Sequence, residues 1–81
     1  MDFIPQYTRA DVKREADRLF GKPSSAGIMK LLDEYECEHE GGRARVQMAC
    51  MKLCEGQIEK LKHFIAQARK DFRDVLYWAE Y

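Results

Sequence analysis

Strand-forming residues are scarce in this 81-residue chain, whose whole β-branched complement is three Val, four Ile and a single Thr. Ala, Leu, Met, Glu, Lys, Arg and Gln are plentiful instead, and these side chains lose little freedom in a helix. Runs of alternating apolar and polar residues are missing, as are the Asn-Gly and Asp-Gly pairs that mark tight hairpins. These absences exclude a sheet and predict an all-α domain.

Charge of one sign is also lacking, because 14 Lys and Arg offset 14 Asp and Glu. A polyanion binder normally carries a basic excess, so the balance disfavours nucleic acid as a partner. No apolar run reaches the ~18 residues that a membrane-spanning helix needs. The opening Met1-Asp2-Phe3-Ile4-Pro5 has neither the basic nor the apolar region of a secretory signal. A cytoplasmic protein with no membrane partner is expected. Cys37, Cys50 and Cys54 are odd in number and cannot pair completely within one chain, which argues against a disulfide scaffold. A chain of this length holds a single domain over residues 1–81. Such a domain buries only about 60 to 65% of its unfolded surface, so a partner or a second copy would add to its stability.

Punctuation divides the chain into helices. After an N-terminal arm over residues 1–7, Thr8 and Asp11 have the spacing of a capping box, and Tyr7 and Val12 that of a hydrophobic staple. Val12, Ala16, Leu19 and Phe20 then form one apolar stripe. Gly21 and Pro23 stop this helix, and Ser24 or Ser25 is expected to cap a second, with Ile28, Leu31, Leu32 and Tyr35 on its core face. Residues 36–42, Glu-Cys-Glu-His-Glu-Gly-Gly, read as an acidic loop, since acids and glycines disfavour a helix C-terminus. A third helix is expected from about Arg43 to Cys54, with Val46, Ala49, Cys50 and Leu53 inward. Gly56, together with the like charges Glu55 and Glu59, predicts a break, although one continuous helix is the alternative.

From Ile58 the apolar residues Leu61, Ile65, Ala68, Phe72, Val75 and Ala79 follow at spacings of 3 and 4, which predicts a long heptad-patterned helix over residues 57–80. Asp71 could cap a separate last helix. The architecture is therefore a small bundle of four helices, or five if the last one breaks. Residues 1–40 carry 6 basic and 9 acidic groups, and residues 41–81 carry 8 and 5, so the halves differ by −3 and +3. Docking of the halves within one chain, or head to tail between chains, is the simplest reading.

The C-terminal half contains Arg45-Val46-Gln47, Leu53-x-x-Gly56-x-Ile58-Glu59-Lys60-Leu61, Asp71-Phe72-Arg73-Asp74-Val75-Leu76 and Trp78-Ala79-Glu80-Tyr81. Over Arg45 to Tyr81 it resembles a group of small bacterial all-helical proteins without an assigned role. That resemblance implies a bacterial, cytosolic helical protein and brings no activity, cofactor or site with it.

Several constellations could carry chemistry. Cys37, His39, Cys50 and Cys54 supply the ligand types of a tetrahedral zinc site, but Cys-x3-Cys on a helix is not the usual knuckle, and buried structural thiols are the simpler reading. Glu36, Glu38, Glu40 and Gly41 imitate an EF-hand loop whose twelfth position, Gln47, lacks the necessary carboxylate. Cys37 beside His39 lies in an acidic field that opposes thiolate formation, and no phosphate loop or nucleophile elbow occurs, so neither an enzyme nor a cofactor is expected. His63 reads as a surface histidine. Lys62, Arg69 and Arg73 project along one side of the last helix, with Lys52, Lys60 and Lys70 nearby. They keep nucleic-acid binding as an alternative, although pairs such as Lys70 with Asp74 would solvate that face instead.

The tail carries the clearest anomaly. Phe72, Tyr77, Trp78 and Tyr81 crowd ten residues, and one helix cannot turn them all into one core. Either Phe3, Ile4 and Tyr7 fold across them, or they form an apolar patch for a protein partner or a second copy. The expected function is protein–protein interaction or self-association, as a homo-oligomer or a small adaptor or regulatory subunit. Nucleic-acid binding and a zinc-binding structural domain are the alternatives.

Overall fold

The structure is a computed structural model that describes residues 6–35 and 40–80, the side chains of Glu40 and Gly41 excepted. It is a small all-α bundle of four helices, α1 Arg9–Phe20, α2 Lys22–Leu32, α3 Glu40–Cys54 and α4 Ile58–Glu80. No strand occurs among the described residues.

The start of α1 follows its sequence signature. The Thr8 hydroxyl accepts from the Asp11 backbone N–H, and the Asp11 carboxylate accepts from the Thr8 N–H at 2.9 Å, closing both halves of the capping box. Val12 and Ala16 are fully buried, whereas Leu19 and Phe20 are half-buried at the edge of the core.

The second helix begins earlier than expected. Gly21 has φ 84°, a conformation L side chains resist, and turns the chain directly from α1 into α2. Pro23 suits the first helical turn because its fixed φ matches the helix and its missing N–H would have had no partner there. Neither Ser24 nor Ser25 is the cap. Ser25 lies inside the first turn, buried, with its hydroxyl donating to the Lys22 carbonyl at 3.0 Å.

The third helix also starts early, at Glu40 rather than Arg43, so the last three residues of the expected acidic loop are helical. Glu40 suits this position because an acid favours the positive N-terminal end of a helix, and first-turn glycines give up few hydrogen bonds. Residues 36–39 of that loop lie outside the described residues.

The central element is α3, packed against α1 on one side and α4 on the other. Its neighbouring positions Val46 and Gln47, then Ala49, Cys50 and Met51, are all buried, a wider covering than one apolar stripe gives, with Arg45, Met48 and Lys52 along the less covered side. Small side chains make this possible: Ala44, Ala49, Cys50 and Cys54 let the flanking helices approach. Gln47 is 1% exposed, and its amide donates to the Leu32 carbonyl at 2.9 Å. It thereby satisfies one of the carbonyls that the end of α2 leaves without a helical partner.

The chain breaks at Glu55 and Gly56, both at positive φ, 54° and 73°. Beyond this turn, Leu61, Ile65 and Ala68 of α4 bury against α3. Ile58, the first residue of the expected stripe, is instead 45% exposed. The helical course is interrupted at Asp71, where φ is −156° and ψ is 99°. This residue divides α4 into arms over residues 58–70 and 72–80. The heptad pattern is therefore not one continuous seam: Val75 is fully buried and Ala79 half-buried, while Phe72, next to the break, is 43% exposed.

No ion pair between described residues joins the two halves of the chain. Among the described residues, Arg9 pairs with Asp33 and Arg45 with Glu80, and the remaining pairs are equally internal to one half. Apolar packing on α3 holds the halves together. Val75→Asp is expected to unfold the domain, because an unpaired carboxylate at this closed position costs several kcal/mol, a large part of the stability of so small a core. Circular dichroism at neutral pH checks this; a native helical signal with unchanged thermal melting would contradict it.

Candidate partner-binding site

The break at Asp71 determines where the tail aromatics go. The Asp71 carboxylate accepts from the Arg73 backbone N–H at 3.1 Å and from the Arg73 guanidinium at 3.0 Å, capping the second arm. These bonds hold its carboxyl below the ordinary Asp range.

The two arms then lie side by side. Fourteen residues of straight helix span about 21 Å, yet the rings of Phe64 and Trp78 meet edge to face with centroids 6.2 Å apart. Gln67 donates to Asp74 at 3.3 Å across the same turn. Phe64 and Trp78 are each seven residues from Asp71, as a folded-back pair requires. At the far end, the Arg45 guanidinium of α3 grips both Glu80 carboxylate oxygens. That contact, above all, holds the Glu80 carboxyl below its ordinary value.

Folding back buries Val75 and partly buries Leu76 and Ala79. Tyr77 remains 64% exposed and Trp78 48%. Phe64 is half-buried beneath Trp78, and the ring of His63 sits edge-on to Phe64 at 5.1 Å. Beyond the turn, the exposed rings of the second arm are thus Tyr77 and Trp78, the latter backed by Phe64, which His63 borders in turn. Phe72, expected in the same patch, lies instead at the turn beside Arg69 and Lys70. Tyr81 lies outside the described residues, as do Phe3 and Ile4. Tyr7 packs at the edge of the core and lines, together with Met48, Met51, Ala79 and Glu80, a groove of about 360 Å³, and Tyr77 and Trp78 remain exposed.

The break also splits the basic row expected along one helix. Lys62 is on the first arm, 3.7 Å from Glu59, and Arg73 is on the second, held by Asp71. The expected Lys70–Asp74 pair does not form, because the two residues no longer share one helix register and Asp74 takes Gln67 instead.

Of the zinc candidates, Cys50 and Cys54 are buried in the core, and Cys37 and His39 lie outside the described residues. Burial pushes the Cys50 thiol up to about 12, and it raises Cys54 as well. The Cys54 S–H donates to the Met51 carbonyl at 3.1 Å. Protonated thiols turned into a packed core are poor metal ligands and poor nucleophiles. Among the described residues, no three His, Cys, Asp or Glu side chains converge as a metal site would require. Gln47, the twelfth position of the EF-hand imitation, is occupied by its bond to Leu32.

Sequence reasoning missed the Phe64–Trp78 contact, the Arg45–Glu80 clamp and the Gln47 bond. Only the first left a signal, the equal spacing of the two rings about Asp71. Comparison of the chain with protein-family models, curated proteins and solved structures returns no match.

Two outcomes follow from the titrating groups. A carboxyl whose folded value is depressed contributes stability above its unfolded value and loses it as pH falls through the folded one. Glu80→Gln is therefore expected to cost about 1 kcal/mol at pH 7 and much less at pH 3. Urea unfolding at the two pH values measures the difference, and equal costs at both would contradict the clamp. Native alkylation at pH 8 should leave Cys50 and Cys54 unmodified until denaturant is added, as read by peptide mass mapping; rapid native labelling would contradict their burial.

Proposed function

We propose that this protein is a protein–protein interaction module that self-associates through the aromatic face of Tyr77 and Trp78. The observation that carries this reading is the exposure of those two large rings on an arm whose other side is anchored by Val75 and by the Arg45–Glu80 clamp. Anchoring matters energetically, since a ring already held in place loses little freedom on docking. Trp and Tyr are also the side chains that most often dominate interface energies. A formal charge of zero removes the net repulsion that keeps many small domains apart. A small core gains from covering such a patch.

The resemblance of the C-terminal half to small bacterial helical proteins makes a bacterial, cytoplasmic setting part of the proposal. No helix among the described residues is long and apolar enough to cross a membrane. Catalysis has no part in this reading, and an adaptor or regulatory subunit is the role it implies.

Trp78→Ala tests it. The variant should keep its melting curve within about 1 kcal/mol of stability, because half the ring is already in solvent, while association weakens by roughly tenfold or more. Sedimentation equilibrium over a concentration series reads the association. Wild type and variant both monomeric throughout would contradict self-association.

A further inference from the structure

The second arm of α4 is held by contacts that do not depend on which copy of the chain supplies it. Its anchors are Val75 in the core, the Trp78 ring against Phe64, and the two Glu80 oxygens on Arg45. Each joins residues 72–80 to the rest of the bundle, and the only covalent link between the two arms is the hinge at Asp71.

Nothing in the hinge sequence enforces the reversal. Residues 57–80 contain neither Gly nor Pro, so no residue there forbids a straight helix. The heptad series Leu61, Ile65, Ala68, Phe72, Val75 and Ala79 passes through this point at spacings of 4 and 3 without a skip. Folding back leaves that series unfulfilled at the turn, where Phe72 shows 43% of its surface. An interrupted helix also leaves backbone groups without helical partners, and the Asp71 carboxylate satisfies one of them, the Arg73 N–H.

A straight α4 regains the helical bonds and completes the seam, but it carries Val75 and Glu80 away from their own bundle. A second copy with the same straight helix supplies what is missing. Because the second arm runs back along the first, two straight helices laid antiparallel and crossing at Asp71 place each arm on the other copy's bundle, where that copy's own arm had been. The arrangement is two-fold and closed, so it stops at a dimer, and Phe72 of each chain then lies on the seam between the helices. We propose that this chain dimerises by exchanging residues 72–80 with a second copy, Asp71 turning helical and α4 running straight through it. The inference rests on the self-association reading but uses the buried side of the arm, whereas that reading uses its exposed rings.

Charge reversal at the clamp tests it. Arg45→Glu and Glu80→Arg are made as separate variants. Alone, each sets like charges together, whether the arm is its own or another copy's. In a mixed exchanged dimer the new acid of one chain meets the new base of the other, and the unaltered Arg45 and Glu80 meet as well, so both clamps are restored. Unfolded together in urea and refolded at high concentration, the two should give heterodimer in roughly tenfold or greater excess over either homodimer, read by native mass spectrometry. Heterodimer at no more than the share of random pairing, or monomers alone, overturns the proposal, since a clamp within one chain gains nothing from mixing.

Asp71→Ala gives a second measurement that does not require the clamp variants to fold. It removes the cap of the folded-back arm and favours helix at the hinge in both chains of a dimer, so association should strengthen roughly tenfold or more in sedimentation equilibrium. Association no stronger than that of wild type overturns the exchange. Trp78→Ala separates this inference from the reading it rests on. Exchange keeps the Phe64–Trp78 contact in monomer and dimer alike, so the substitution leaves it unmoved while weakening docking through the exposed rings. Heterodimer excess with unchanged association of Trp78→Ala overturns the aromatic face and keeps the exchange, and weakened association without heterodimer excess does the reverse. A wild type monomeric at every concentration overturns both.

Discussion

A single extended residue, Asp71, inside an otherwise helical stretch decides the shape of the C-terminal third of this protein. With helical dihedrals there, residues 72–80 would run on past the end of α3, and Val75 and Ala79 would have nothing to pack against. The extended backbone returns the chain along its own first arm instead. Capping compensates for the interruption, since the Asp71 carboxylate takes the backbone N–H of Arg73 that the broken helix would leave without a partner. The Phe64–Trp78 contact and the Arg45–Glu80 clamp then secure the arm near its end.

Because the arm returns onto α3, the demands on α3 rise. A helix with neighbours on two sides cannot keep one apolar stripe and one polar face, and α3 meets this with small and pliable side chains, Ala, Cys and Met, at adjacent positions. The same arrangement explains why the interior runs out. Val75 occupies the place the arm can reach, and the larger rings of Tyr77 and Trp78 remain on the outside. Surplus aromatic surface is thus a consequence of folding a short chain back on itself, and the proposed function uses that surplus.

Features that depend on local chemistry were legible in the sequence. The Thr8–Asp11 box, the stop at Gly21, the break at Glu55 and Gly56, and the burial of Leu61, Ile65 and Ala68 all follow from spacing and backbone preference. Helix starts were less legible where one residue type serves two ends. Acids such as Glu40 are unfavourable at a helix C-terminus and favourable at an N-terminus, and the run from Glu36 to Gly42 does not state which helix it belongs to. Pro23 and the serines after it present a similar ambiguity, which the turn at Gly21 resolves. At the candidate site, the excess of aromatics was visible, but their grouping was not. A heptad count passes straight through Asp71, so it places Phe72 in the core stripe and cannot see that Trp78 belongs with Phe64. The Gln47 and Arg45 contacts are tertiary, joining residues 15 and 35 apart, and no local pattern encodes them.

The fold-back at Asp71 is tested most directly by nuclear Overhauser contacts between the ring protons of Phe64 and the indole protons of Trp78, measured on dilute protein so that contacts between copies do not contribute. The account predicts clear cross-peaks, because the two rings touch. A continuous helix would hold their backbones about 21 Å apart, and the absence of cross-peaks in a well-resolved spectrum of the folded protein would contradict it.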